Sequence, residues 1–496
     1  MPNRMPRPAA ARAVVRAAAL GLALCAAAAG GGAQGLPPEV EAALARARLP
    51  REALSVAVVD ADGRTAPLVW HRADMPVNPA SITKLATTFA ALELLGPAYT
   101  WNTPVFIDAP VQAGVLQGHL YIKGQGDPRL VMERLWLLLR RVQGLGIRRI
   151  AGDIVLDRSA FDVPAQDPGA FDGEPLRPYN ASPDGLLVNF RSVMFHFTPT
   201  NEGAQVQMEP PLSGVQAPAS VPLIPSVECG DWRGALKADF SDPARVRFLG
   251  GYPSGCGARS WPIASANPAG HAAAAVAALW KELGGHLAGT VREGQVPPGL
   301  RPVFEVSSPS LAEVVRDVNK FSNNVMAQQV FLTLSLQQRG VGSLAGSREV
   351  MQQWWRERLR SEPPVPVNGS GLSRDERMTA AQLVRLLQHA WSSPLMPEFV
   401  ASLPVAGLDG TARRTGTRST GRAHLKTGSL RDVTGVAGYV HAPDGRRWVL
   451  VAIANHPQAG AVRPAIDALV DWTARQGGGA PVAAVPPRGA GPTSVP

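Results

Sequence analysis

The spacing of apolar positions changes several times along this chain, and the changes divide it. Leu54 to Val59 is a short, almost continuous apolar run, the pattern of a buried strand. Asp60 to Gly63 reads as a turn, and Pro67 to His71 as the partner strand of a hairpin. From Ser81 to Leu95 the pattern becomes helical, with Leu85, Phe89 and Leu92 on one face, and Gly96 with Pro97 stops it. Residues 99–269 differ: strand-like pieces alternate with turns and proline is frequent. Within them Leu130 to Gln143 predicts an amphipathic helix, Asp153 to Leu156 a strand, and Phe195 to Ser260 short irregular β structure. Helical spacing returns over Pro268 to Leu283, Ser310 to Leu336, Leu344 to Leu359 and Thr379 to Trp391. Val436 to His441 and Trp448 to Ala454 flank a Pro443–Gly445 turn as a second hairpin, and a last helix covers Val462 to Gln476.

β elements at both ends thus bracket a helical block. One sheet built from both ends, with helices packed on it, buries those strands. The expected organisation is a discontinuous body of residues 34–98 and 270–476, interrupted by an inserted, mainly β region at 99–269. A Gly-, Pro- and Ala-rich tail at 477–496 reads as disordered.

At 496 residues and 45% hydrophobic, the chain is long enough for about two to four domains and too apolar to be disordered as a whole. Residues 1–33 stand apart. Arg4, Arg7, Arg12 and Arg16 precede a short Ala/Leu stretch that ends in small residues at Gly31 to Ala33. That is the pattern of a secretory signal, shorter than the roughly 20 apolar residues a membrane span needs. Two cysteines then remain, Cys229 and Cys256, and in an oxidising compartment they are expected to form a disulfide. No His or Cys spacing suggests a metal site. The net charge of +10 favours anionic partners in general, but export argues against nucleic acid. The Trp354, Trp355, Arg356 cluster reads more simply as a helix face on the core. Of 49 basic residues only six are lysines: Lys84, Lys123, Lys237, Lys281, Lys320 and Lys426. A chain that otherwise uses arginine hints, by each lysine it keeps, at a group able to lose its proton.

Three short motifs carry the chemistry. Ser81 and Lys84 stand three apart at the start of a helix, so they share a face. A serine hydroxyl needs a base, and a lysine serves once burial or nearby positive charge lowers its proton affinity. Ser322, Asn323 and Asn324 follow 241 residues later and, taken alone, are ordinary turn residues. Lys426, Thr427 and Gly428, followed by Ser429, lead into a strand; a lysine and a hydroxyl there suit a carboxylate, and the glycine admits close backbone approach. S-x-x-K, S-x-N and K-T-G in this order form the set found in penicillin-binding proteins and class A β-lactamases.

With its long insertion between the first two motifs, the chain resembles the class C low-molecular-mass penicillin-binding proteins. These are the D-alanyl-D-alanine carboxypeptidase/endopeptidase family of penicillin-binding protein 4, peptidase family S13. The runs Lys123–Pro128, Gly152–Asp157, Gly369–Arg374 and Leu403–Gly410 are also similar to that family, as is the position of Cys229 and Cys256. The resemblance implies a serine β-lactamase/transpeptidase-like α/β fold, an antiparallel sheet flanked by helices, and no cofactor. It implies a periplasmic protein, soluble or loosely attached, acting on peptidoglycan stem peptides and cross-links and acylated by β-lactams. Ser81 would be the nucleophile, Lys84 its base, Ser322 a proton relay and Asn324 an orienting group. Lys426 and Thr427 would hold the terminal carboxylate, and the Ser81 and Ser429 N–H groups would form the oxyanion hole beside Gly428. Arg374 and an acid near Glu174, with Asp172 close by, would receive the free end of diaminopimelate. One departure is Asn368, where the family usually has Asp. A β-lactamase is the nearest rival, but no Glu precedes an Asn by four to give its E-x-x-x-N signature. A non-catalytic wall-binding protein is the other rival, and retention of all three motifs argues against it. Oligomeric state is not legible in the sequence.

Overall fold

The computed structural model describes residues 35–476; the expected signal segment and the tail lie outside them. Both chain ends do meet in one sheet. Its order is Val69–His71, Leu54–Asp60, Arg447–Asn455, Val433–His441 and Ala423–Leu430, and every neighbouring pair is antiparallel. The central strands are buried on both faces, so their sequences read as continuous apolar runs. The period-2 geometry nevertheless sorts the residues. Ala57, Val59, Val449, Val451 and Ile453 join one core under the helices Lys84–Leu95, Leu311–Phe321, Asn324–Arg339 and Ala380–Ser392. Val56, Val58, Leu450, Ala452 and Ala454 join a second core under Pro38–Arg46 and Arg463–Ala474. A one-residue slip would exchange the two sets.

The segment Ser310 to Leu336 is not one helix. The helix Leu311–Phe321 opens with a capping box between Ser310 and Glu313 and ends with Ser322 in the left-handed region, φ 57°. Asn323 then caps the next helix, its side-chain oxygen accepting the Met326 N–H at 3.0 Å. The apolar period runs through a break that short polar residues make.

The inserted body extends past its expected end at residue 269. Strands Val291–Glu293 and Phe304–Ser307 form the two edges of a sheet whose interior is Ile154–Asp157, Leu120–Lys123 and Asn102–Ile107. The helix His271–Glu282 packs Val276, Leu279 and Trp280 into that body's core with Leu135, Leu138 and Leu139. The chain therefore leaves this body only after Ser307. A second, four-stranded sheet holds Phe197 against Trp232 and Tyr252 and Phe195 against Phe240 and Phe248, and beside it Cys229 and Cys256 are disulfide-bonded.

Candidate active site

The turn that carries Ser81 is held from several sides. Asn78 accepts the Ala80 N–H at 2.8 Å, donates to the Ser373 carbonyl at 2.9 Å, and exchanges hydrogen bonds with Asn455. Ala80 takes φ 48°, a strained value for a residue with a side chain, immediately before the serine. Gly371, at φ 79°, lies directly on this turn: a Cβ there would meet the Ala80 carbonyl at 2.0 Å. Gly428 is pressed on it from the sheet, where a Cβ would come within 2.7 Å of the Pro79 oxygen. The two glycines are what allow the loop and the edge strand to close on the serine turn.

Lys84 is fully buried at the start of its helix. Its Nζ donates to Ser81 Oγ at 2.9 Å, to Asn324 Oδ1 at 2.7 Å, and to the Ser370 carbonyl. The ammonium form has three donors for these three acceptors, the free amine two with a lone pair left to accept from Ser81 Oγ, and none of the three is a carboxylate. Burial, reinforced by the Lys426 ammonium and opposed by Glu376, holds the Lys84 amine well below its ordinary pKa. Lys426, also fully buried, lies on the sheet's edge strand Ala423–Leu430 and donates to Ser322 Oγ at 2.9 Å and to the Thr427 carbonyl at 2.8 Å. Burial pushes its amine down to about 7. Thr427 Oγ1 lies 2.6 Å from Thr411 Oγ1, and Ser429 is exposed on the same strand. Hydrogen bonds thus join Ser81, Lys84 and Asn324 in one set and Ser322 and Lys426 in another, and the charge of Lys426 acts on Lys84 between them.

The outer candidates are arranged differently. Arg374 is exposed, stacks over the Phe171 ring at 5.0 Å and has Asp432 at 4.0 Å. Glu174 is turned to Arg177 at 3.4 Å, so it is not brought to Arg374. Asp172, next to Phe171, is the anchored acid: it accepts from Tyr179 Oη and Asn180 Nδ2, each at 2.8 Å. Desolvation opposes its ionisation, but these bonds hold its carboxyl below the usual range. The Tyr179 carbonyl in turn accepts from Asn324 Nδ2 at 3.2 Å, which ties the inserted body to the cluster. A cleft of about 590 Å³ runs from Ser322 and Asn324 past Tyr179 to Met194 and Pro210 of that body. Sequence reasoning missed the Ser370 carbonyl, which no side-chain pattern reveals, and Glu376, whose only signal is a carboxylate beside the Gly369–Arg374 run.

A serine, a buried amine beside it and a second buried lysine are the groups that nucleophilic hydrolysis needs. The sequence matches the D-Ala-D-Ala carboxypeptidase 3 (S13) family over residues 36–476, and the chain belongs to that family. It is 28% identical over 410 residues to the D-alanyl-D-alanine carboxypeptidase of Actinomadura sp. strain R39, covering 77% of this chain and 74% of that one. Over 393 residues it is 24% identical to the D-alanyl-D-alanine carboxypeptidase of Haemophilus influenzae, covering 76% and 80%. The crystal structure of penicillin binding protein 4 from H. influenzae superposes with a TM-score of 0.70 at 21% identity, over 88% of this chain and 99% of that one. The fold is thus the transpeptidase-like fold with an inserted region, and the protein is a serine-peptidase-family hydrolase of the D-Ala-D-Ala carboxypeptidase class.

Proposed function

We propose that Ser81 is the acylated residue of a periplasmic D-Ala-D-Ala carboxypeptidase that also cleaves D-alanyl cross-links. The 2.9 Å contact between Ser81 Oγ and the depleted Lys84 amine carries this reading. Free Lys84 amine takes the Ser81 proton as Oγ attacks the D-alanyl carbonyl. The developing oxyanion rests between the Ser81 and Ser429 N–H groups, a type of contact worth about 10²–10³ in rate per donor. Ser322 passes a proton to the departing amine, and the C–N bond breaks. Lys426 and Thr427 hold the free carboxylate, which also raises the proton affinity of Lys426 while substrate is bound. Water then enters by the reverse proton path and frees Ser81. Both scissile bonds place a D-alanyl carbonyl beside a free carboxylate, so one site serves both. Arg374, with Asp172 favoured over Glu174 by its anchoring, would receive the charged end of the stem-peptide side chain.

Among the described residues no helix is long and apolar enough to cross a membrane. The Arg-rich leader of the sequence supports export to the periplasm.

The test is intact mass of the mature protein after brief exposure to benzylpenicillin, with Ser81→Ala beside it and the remaining antibiotic assayed. A lasting adduct absent from the variant is expected. Rapid antibiotic loss without an adduct would make the protein a β-lactamase. Neither adduct nor loss would remove the catalytic reading. A weaker arm is Arg374→Ala, expected to slow cleavage of a diaminopimelate-containing peptide and to leave penicillin acylation within a few-fold of the parent.

A further inference from the structure

Glu376 is 1% exposed and takes no part in the steps above. Its Oε1 accepts the Val367 N–H at 3.1 Å, while Oε2 is buried without a hydrogen-bond partner. The backbone N–H of Asn368 also faces the carboxylate. From the opposite side of the same residue, Arg348 Nε donates to the Val367 carbonyl at 2.8 Å. The loop so gripped is the seat of the lysine: Asn368 Oδ1 accepts from the Ser370 N–H at 3.0 Å and from Ser370 Oγ at 2.8 Å, and the Ser370 carbonyl receives Lys84.

A buried carboxylate with one unpartnered oxygen is costly, and nothing in the packing requires a charge there. What lies within its field is Lys84, a buried amine with no carboxylate in contact. We propose that Glu376 is a positioning residue of the reaction: its carboxylate anchors the loop that seats Lys84, and its charge sets the pH at which Lys84 can take the Ser81 proton. Lys84 and Arg348 are the charged groups that face Glu376; Lys426 and Glu376 are those that face Lys84. Burial pushes Glu376 up to about 7, so its charge changes within the working range of such an enzyme. Ionised, it favours the ammonium form of Lys84; neutral, it releases that hold.

This rests on Ser81 being the nucleophile and Lys84 its base. The experiment is the rate of acylation by a fluorescent penicillin against pH, for the parent, Glu376→Gln, Asn368→Asp and the double variant. Glutamine retains the shape and an acceptor oxygen but has no charge. Its acid limb is expected to move down by about one pH unit, with the plateau within a few-fold of the parent. Aspartate at 368 returns a charge to the same loop, so the double variant is expected to regain the parent's limb. Asn368→Asp alone is expected to move the limb up, which keeps the test decisive if Glu376→Gln does not fold. An unmoved limb in both single variants, whether or not the plateau drops, overturns the inference and leaves Glu376 a structural anchor. Failure of the parent to acylate at all overturns instead the Ser81 reading beneath it.

Discussion

Two buried charge networks, one in the inserted body around Asp184 and Asp157 and one in the catalytic body around Lys84, hold their charge in opposite ways. In the inserted body Asp184 is almost fully buried, and the Arg158 and Arg191 guanidinium groups both contact its carboxylate. Asp157 is buried too, and it accepts from Ser159 and from the Val296 N–H while Lys123 stands 3.9 Å away. In the catalytic body Lys84, Lys426 and Glu376 are buried with no opposite charge in contact. All three are displaced toward the form that carries no charge. Lys320, two residues before Ser322 in the catalytic body, marks the boundary between these cases, because it is buried yet pairs with Asp409 at 2.5 Å. Matched buried charge fixes a structure; unmatched buried charge keeps groups ready to exchange protons.

If that contrast is right, truncation should separate activity from stability. The largest effect is expected for Lys84→Gln. Loss of the base removes about 10²–10⁴ in acylation rate. The melting temperature should hold or rise, because an uncompensated buried amine is removed. A fall in melting temperature with acylation intact would reverse the assignment. Asp184→Ala is the converse. It strands the largely buried Arg191 and leaves Arg158 with Glu293 alone, and breaking such a network costs about 3–5 kcal/mol. Urea unfolding measures that cost, and penicillin acylation of the remaining folded protein should be within a few-fold of the parent.

The same contrast explains what the sequence disclosed. The serine and lysine of the first motif, and the lysine and glycine of the third, are legible because each needs a particular side chain at a fixed short spacing. Their supports are not. Lys84 is seated by the carbonyl of Ser370, a group every residue has, and Gly371 matters only because the Ala80 carbonyl happens to press on it. The end of the inserted body was equally hidden. The helix His271–Glu282 has one apolar face whichever sheet receives it, and strands as short as Val291–Glu293 show no period of their own. Their partners, Ile154–Asp157 and Asn102–Ile107, lie more than a hundred residues earlier in the chain. Long-range pairing of short strands leaves no local trace. The middle of the central sheet was legible for the opposite reason: Leu54–Asp60, Val433–His441 and Arg447–Asn455 are long and doubly buried.

The smallest effect is a slope, and it discriminates sharply. Lys426 has an ordinary lysine value when unfolded and about 7 when folded. Between about pH 7 and 10.5 the unfolded chain therefore holds a proton that the folded site lacks. Folding is favoured as pH rises through that window, and the gain is lost as pH falls back from about 10.5 to 7. Lys84 acts in the same direction. Glu376 acts on the other side: raised from 4.5 to about 7, it keeps a proton when folded that the unfolded chain has released. Stability from this group falls as pH rises from about 4.5 to 7. The unmatched charges together predict a minimum in stability near neutrality, each proton contributing about 1.4 kcal/mol per pH unit at most. Lys426→Met should flatten the alkaline arm, and Glu376→Gln the acid arm, in denaturant titrations at fixed ionic strength. The Asp184 network, matched on both sides, should leave both arms in place when it is removed. Equal flattening by Asp184→Ala would mean that the two bodies do not differ in how they hold charge.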